Sequence, residues 1–294
     1  MDVEGMARAS RSLRDALEPT IGSVYFSPEC HVEYAQLGFE PSIGDADGVE
    51  LPDGAAYFCS RGSALGQAPG TVVAAAFGVF NPSAVVPMVS RGWTLTNAGQ
   101  IAAARDRGAL AQLRRILGEP PEAMWASRVL LRGVDAAHSA GRPLYSGLLA
   151  RGLPGDPLGD LWRAGDLLRE LRGDAHNAAW TTAGLTPIEI GLLTELWWGL
   201  PARTYVRTRA WTDEQLDAGQ DGLRSRGLLD GDELSELGHD VRERVEVATD
   251  RQMVPSLAAI GDDLDDLLVL LRRWSAAVVD AKGYLSGPSD LTDR

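Results

Sequence analysis

Lysine is nearly missing from this chain. Lys282 is the only one, so arginine carries almost all the charge of the 28 basic residues. Against them stand 41 acidic residues, and the net charge is −13. Nonspecific DNA affinity rests on clustered positive charge facing the phosphates. A local basic patch could still serve, but the global field opposes it. Cysteine is equally scarce. Cys30 and Cys59 are too few for a disulfide framework or a four-thiolate zinc site. They read as reduced, buried small hydrophobes, which suits a cytoplasmic protein. Long apolar runs are absent too: none approaches the ~20 residues that cross a bilayer. The first stretch, "MDVEGMARASRSLRDALEP", has no apolar signal-peptide core.

What is present is a globular composition, 45% hydrophobic over 294 residues, long enough for two domains. The expected fold is mainly α: an N-terminal helical domain over 1–155 and a second, mainly helical domain over 156–294 with a small β-hairpin. The boundary is placed in "GRPLYSGLLARGLPGDPLGD" (141–160), which mixes a short helix with a Pro/Gly linker. Upstream, Ser27 or Pro28 opens a helix that Gly38 stops, 40–54 reads as a loop, and Ala55 to Cys59 reads as a short strand. An apolar helix from 70 ends before Asn81-Pro82, and another follows. Helices are expected over 97–118 and 120–141 from their periodicity.

Downstream, Asp160 is the expected cap of a long helix with apolar Leu161, Ala164, Leu168, Leu171, Ala175 and Ala179. Thr186-Pro187 opens a helix ending at Gly199, and Thr212 caps the next. "LLDGDELS" reads as a hairpin turning at Asp230-Gly231. A helix follows, and then the amphipathic 262–279. Its stripe from Leu264 to Val278 must bury against the chain or a second subunit, so a homodimer is an open possibility. The tail "SGPSDLTDR" shows no pattern of its own.

Helix, turn, helix and then "LRSRGLLDGDELSELG" resembles the winged helix of MarR-like regulators. The segments "YFCSRGSALG" (57–66), "AAAFGVFNPSAV" (74–85), "GRPLY" (141–145), "LWRAGDLLRELRGDAHNAA" (161–179), "RAWTDEQL" (209–216) and "VEVATD" (245–250) together resemble an actinobacterial helix-turn-helix family. The resemblance implies a helical N-terminal half joined to a C-terminal winged helix, and supplies no reaction. The chain departs from the family at Leu171, where the family usually has histidine.

The densest chemistry lies in "LLRELRGDAHNAAW" (167–180). At ~100° per residue, Arg169, Arg172 and His176 share one helix flank, and Glu170, Asp174 and Asn177 lie on the far side. Three readings stay open. The charges are a structural clamp; or Arg61, Arg169, Arg172 and Trp197 bind a polar or anionic small molecule between the halves; or His176, with Asp174 and Glu170, does acid–base work. No metal site is expected, since Glu170 and His176 fall on different sides, and no cofactor is implied. Trp197 and Trp198 cannot both face one core.

Three function classes follow. "PARTYVRTRAWTDEQLDAG" sets Arg203, Arg207 and Arg209 beside a helix, which suits a ligand-responsive DNA-binding regulator. Yet 212–222 carries Asp213, Glu214, Asp217 and Asp221 with no basic residue, and the wing is acidic, so tight duplex binding is not expected. A small-molecule-binding protein is the favoured expectation, with an enzyme of secondary metabolism beside it.

Overall fold

The computed structural model describes residues 3–285, so the tail 286–294 lies outside the described residues. Helices dominate, as expected. In chain order they are α1 (Val3–Gly22), α2 (Pro28–Ala35), α3 (Gly54–Gly62), α4 (Gly70–Phe77), α5 (Pro82–Leu95), α6 (Ala98–Leu117), α7 (Ala123–Asp135), α8 (Pro143–Leu149), α9 (Pro157–Thr182), α10 (Pro187–Trp197), α11 (Asp213–Ser225), α12 (Glu236–Gln252), α13 (Val254–Ile260) and α14 (Leu264–Asp280). Two short antiparallel hairpins accompany them. One pairs β1 (Asp45–Ala46) with β2 (Val49–Glu50), inside the expected loop. The other is the wing, β3 (Leu229–Asp230) with β4 (Glu233–Leu234), in which Leu229 faces Leu234.

The strand expected at Ala55–Cys59 is a helix instead. Asp53 caps it, its Oδ1 accepting from the backbone N–H groups of Ala55 and Ala56. A short apolar run does not tell a buried helix from a buried strand, and the capping carboxylate decides. The cap of α9 also moves: Asp156 accepts from the N–H groups of Leu158 and Gly159, and Asp160 sits in the first turn. Elsewhere the start signals hold. Ser27 caps α2, and Thr186 and Thr212 each close a reciprocal capping box on Glu189 and Gln215.

Two hydrophobic cores form. The larger draws on α1 to α9 and takes in α13 and α14; the smaller joins the end of α9 to α10, α11, the wing and α12. Helix α9 therefore runs through both and is buried nearly all round, which leaves its charged residues no solvent to face. The stripe Leu264, Leu267, Leu268, Leu271, Trp274 and Val278 is buried within the chain, with α14 against α1 and α6. Close approach is built in where α8 meets the turn after α3: a Cβ at Gly147 would overlap the Ala64 carbonyl.

Candidate functional site

On one flank of α9 the cations meet α1 and α12. Arg169 pairs with Glu18 through Nε–Oε2 at 2.9 Å and Nη2–Oε1 at 3.1 Å. One helical turn on, Arg172 reaches Glu246 at 2.7 Å and Asp250 at 3.0 Å. Those two carboxylates are shared. Arg14 and Arg242 also contact Glu246, and Arg11 donates to Asp250 at 2.8 Å. Burial alone would raise Glu246, but the guanidiniums of Arg172, Arg242 and Arg14 outweigh it and hold its carboxyl well below the usual range. Trp197 belongs to this cluster, lying 4.6 Å under the Arg242 guanidinium. Its neighbour Trp198 is 39% exposed and packs edge-on to Tyr205.

His176 completes the same flank. The Thr249 hydroxyl donates to the Val245 carbonyl at 2.8 Å, so the 3.3 Å contact between its oxygen and His176 Nδ1 requires Nδ1 to carry the proton. Burial, and then the nearby Arg242 charge, push the imidazole down to about 3, and His176 is neutral.

The acids of α9 face elsewhere. Glu170 forms a two-point pair with Arg61 of α3 and touches Arg169 at 3.2 Å. Burial would raise it, yet Arg61 and then Arg169 hold it at about 2. Asp174 accepts from the Tyr145 backbone N–H at 3.0 Å, at the start of α8, and its Oδ1 has no partner. Burial pushes this carboxyl up to about 6. The sequence-expected residues thus fall in two groups, with Asp174 apart from both. Arg61, Glu170 and Arg169 meet; Arg172, His176 and Trp197 gather on α12; and Asp174 points to α8. His176, Asp174 and Glu170 address three different helices. The cavity beside Arg61, Arg105 and Glu170 encloses about 10 Å³, the room of a single water. Leu171, at the position of the family's histidine, is core.

The junction of the halves holds residues the sequence reading left unassigned to a site. The turn after α4 docks on the chain before α11. Asn81 N–H donates to the Arg209 carbonyl at 2.9 Å, and its side-chain amide donates to the Ala210 carbonyl at 2.8 Å and to Gln215 at 3.0 Å. Trp211 Nε1 donates to the Val79 carbonyl at 3.0 Å. The Arg209 guanidinium packs on two rings, 4.7 Å from the centroid of Phe80 and 4.3 Å from that of Tyr205. Asn81-Pro82 had signalled only a helix break, because nothing local shows what the Asn amide faces 129 residues away.

The winged-helix half carries a groove of about 620 Å³. It is lined by apolar Leu196, Leu200 and Pro201 and by polar Arg203, Arg224 and Glu233. Arg203 sits there at φ +67, a conformation strained for any residue but glycine. Buried Glu195 holds it, accepting from the Arg203 and Val206 N–H groups. The linker 198–212 replaces the tight turn of a typical helix-turn-helix with a single 3-10 turn, Val206–Arg209. Helix α11 exposes Asp213, Glu214, Asp217 and Asp221. Three arginines beside it are held by acids: Arg207 by Asp213, Arg203 by Asp217, and Arg224 by Asp221 and by Asp232 of the wing turn.

Among the described residues no cluster is placed to hold a metal ion, and no helix is long and apolar enough to cross a membrane. Both thiols are free and buried, and burial raises each to about 12.

A helical array with a two-stranded wing after α11 defines a helix-turn-helix class of protein. A model of the helix-turn-helix family matches residues 10–285, and the chain belongs to that family. No curated protein and no solved structure matches it.

Proposed function

We propose that this helix-turn-helix protein binds a small molecule and that its winged helix is not a tight duplex reader. The observation that carries the reading is the groove between α10, α11 and the wing. Its volume of about 620 Å³ falls within the ~300–1,000 Å³ typical of small-molecule sites. Its lining is mixed: apolar Leu196, Leu200 and Pro201 face polar Arg203, Gln220, Arg224, Asp232 and Glu233, which suits a polar ligand with some apolar surface. The charged residues of α9 serve, in this reading, as a clamp tying α1, α3 and α12 to the central helix. Each of Arg61, Arg169 and Arg172 has a carboxylate partner inside the protein. A ligand there would have to replace partners already in place.

A second reading, a MarR-like ligand-responsive regulator of transcription, is favoured by the family and by the wing. The exposed face of α11 argues against it, since four acids would meet the phosphates of both strands and Arg203, Arg207 and Arg224 beside them are already paired. One titration separates the two. Labelled duplexes tiling the protein's own promoter region, with a random duplex as the nonspecific control, are followed by fluorescence anisotropy from low to physiological salt. The expected result is no saturable binding near 0.15 M salt, about physiological ionic strength. Nanomolar affinity that persists there, and weakens when α11 is altered, would establish the regulator instead.

A further inference from the structure

We propose a second, separate ligand site at the junction of the halves, where Arg209 takes the carboxylate of a small aryl monoacid. Most buried or half-buried arginines here have a carboxylate: Arg61 has Glu170, Arg105 has Asp166, Arg169 has Glu18, and Arg172 and Arg242 share Glu246. Arg209 has none within ion-pair distance among the described residues. Its guanidinium donates to the Tyr205 hydroxyl; its buried Nε has no acceptor, as is also true of Arg105, Arg163 and Arg172, so the missing carboxylate is what sets Arg209 apart.

A half-buried cation in that state is costly unless something neutralises it. The surroundings specify what. Phe80 and Tyr205 pack 4.7 and 4.3 Å from the guanidinium and the Tyr205 hydroxyl takes one Nη2 N–H, so a carboxylate would meet its remaining N–H groups, Nε included. The count of charge specifies a monoanion. Phe80 lies against Tyr57 and Phe77, Arg61 covers Phe77, Tyr57 contacts Tyr25, and Arg169 covers Tyr25. Along this continuous stack, where Arg105 also lies over Tyr25, Arg61, Arg105, Arg169 and Arg209 stand against Glu18, Asp166 and Glu170, which leaves one positive charge over. A dianion would overshoot it. The rings of Phe80 and Tyr205, with Trp198 edge-on to Tyr205, offer apolar surface to an aromatic body attached to that carboxylate.

The probe is benzoate, with neutral benzamide as its isosteric control. Both are titrated into the full chain while tryptophan fluorescence and melting temperature are read, Trp198 and Trp211 being within two contacts of Arg209. Benzoate should quench or shift the emission saturably and raise the melting temperature, and benzamide should do neither. Arg209→Gln should weaken benzoate at least tenfold and leave the unliganded melting temperature unchanged or higher, because an unneutralised charge is gone. Ala202→Trp, which fills the groove in the winged-helix half, should leave the benzoate response intact, so this site and the groove fail independently. Equal responses to benzoate and benzamide, an Arg209→Gln protein that binds benzoate as well as the parent, or no benzoate response at all would overturn the proposal. A large loss of unliganded stability in Arg209→Gln would also overturn it, by making Arg209 a structural clamp.

Discussion

Arg61 and Glu170 meet in a two-point ion pair where α3 faces α9, with Nε to Oε1 at 2.8 Å and Nη2 to Oε2 at 2.7 Å. Both are buried or nearly so, and removing one partner strands the other in a medium that solvates charge poorly. Glu170→Gln should lower unfolding stability by about 3 kcal/mol, the usual cost of breaking such a pair. Replacing both with methionine should recover most of that loss, since neither charge is then left alone. Urea denaturation of the two variants checks this; equal losses would mean that the pair is not what holds α3 to α9.

Asp174 gives the protein a pH dependence of a specific sign. Its folded carboxyl titrates at about 6 because it is buried, whereas an unfolded aspartate titrates near 4. The folded state holds the extra proton, so this site's stability is full below about pH 4 and is lost as pH rises through 6. Asp174→Asn keeps an acceptor for the Tyr145 N–H and removes the charge. Its stability advantage over the parent should grow across pH 4 to 7, reaching about 3 kcal/mol in total. Parallel stability curves would show that Asp174 is solvated.

His176 should behave in the opposite direction. Its folded value of about 3 lies below the ~6.5 of an unfolded histidine. Its contribution is present above about 6.5 and drains away as pH falls toward 3. In an NMR titration the His176 ring should stay neutral from pH 8 to 5 with the proton on Nδ1. A midpoint near 6.5 would place the ring in water and break its link to Thr249.

Legibility in the sequence followed how local each signal was. Thr186 and Thr212 act within a few residues of themselves and are where the pattern put them, whereas the wing turn falls one residue on, at Gly231-Asp232, because Asp230 pairs with Glu233 in the strand. The flank assignment on α9 also held: Arg169, Arg172 and His176 do face α1 and α12, while Glu170 and Asp174 face α3 and α8. Helix α3 was misread because "AAYFC" has no period, and only the Asp53 side chain distinguishes its two possible forms. The partners of the charges were not legible. Glu18 is 151 residues from Arg169, and Glu246 is 74 from Arg172. Nothing along α9 distinguishes a guanidinium waiting for a ligand from one already paired. The groove arises from a linker, 198–212, whose course depends on buried Glu195 accepting from the Arg203 and Val206 N–H groups. The docking of Asn81 on Ala210 was invisible for the same reason, although both lie in segments that carried the family resemblance.

The central claim, that the winged-helix half holds a small molecule, is tested most directly by native mass spectrometry of the purified chain beside its Ala202→Trp variant. Ala202 lines the groove and is half-buried, so an indole there fills the space without entering the core. The parent should carry a bound mass in the range of a small organic molecule, released on mild activation, and the variant should fly bare with the same charge-state distribution. A bare parent, or the same adduct on both proteins, would contradict the account.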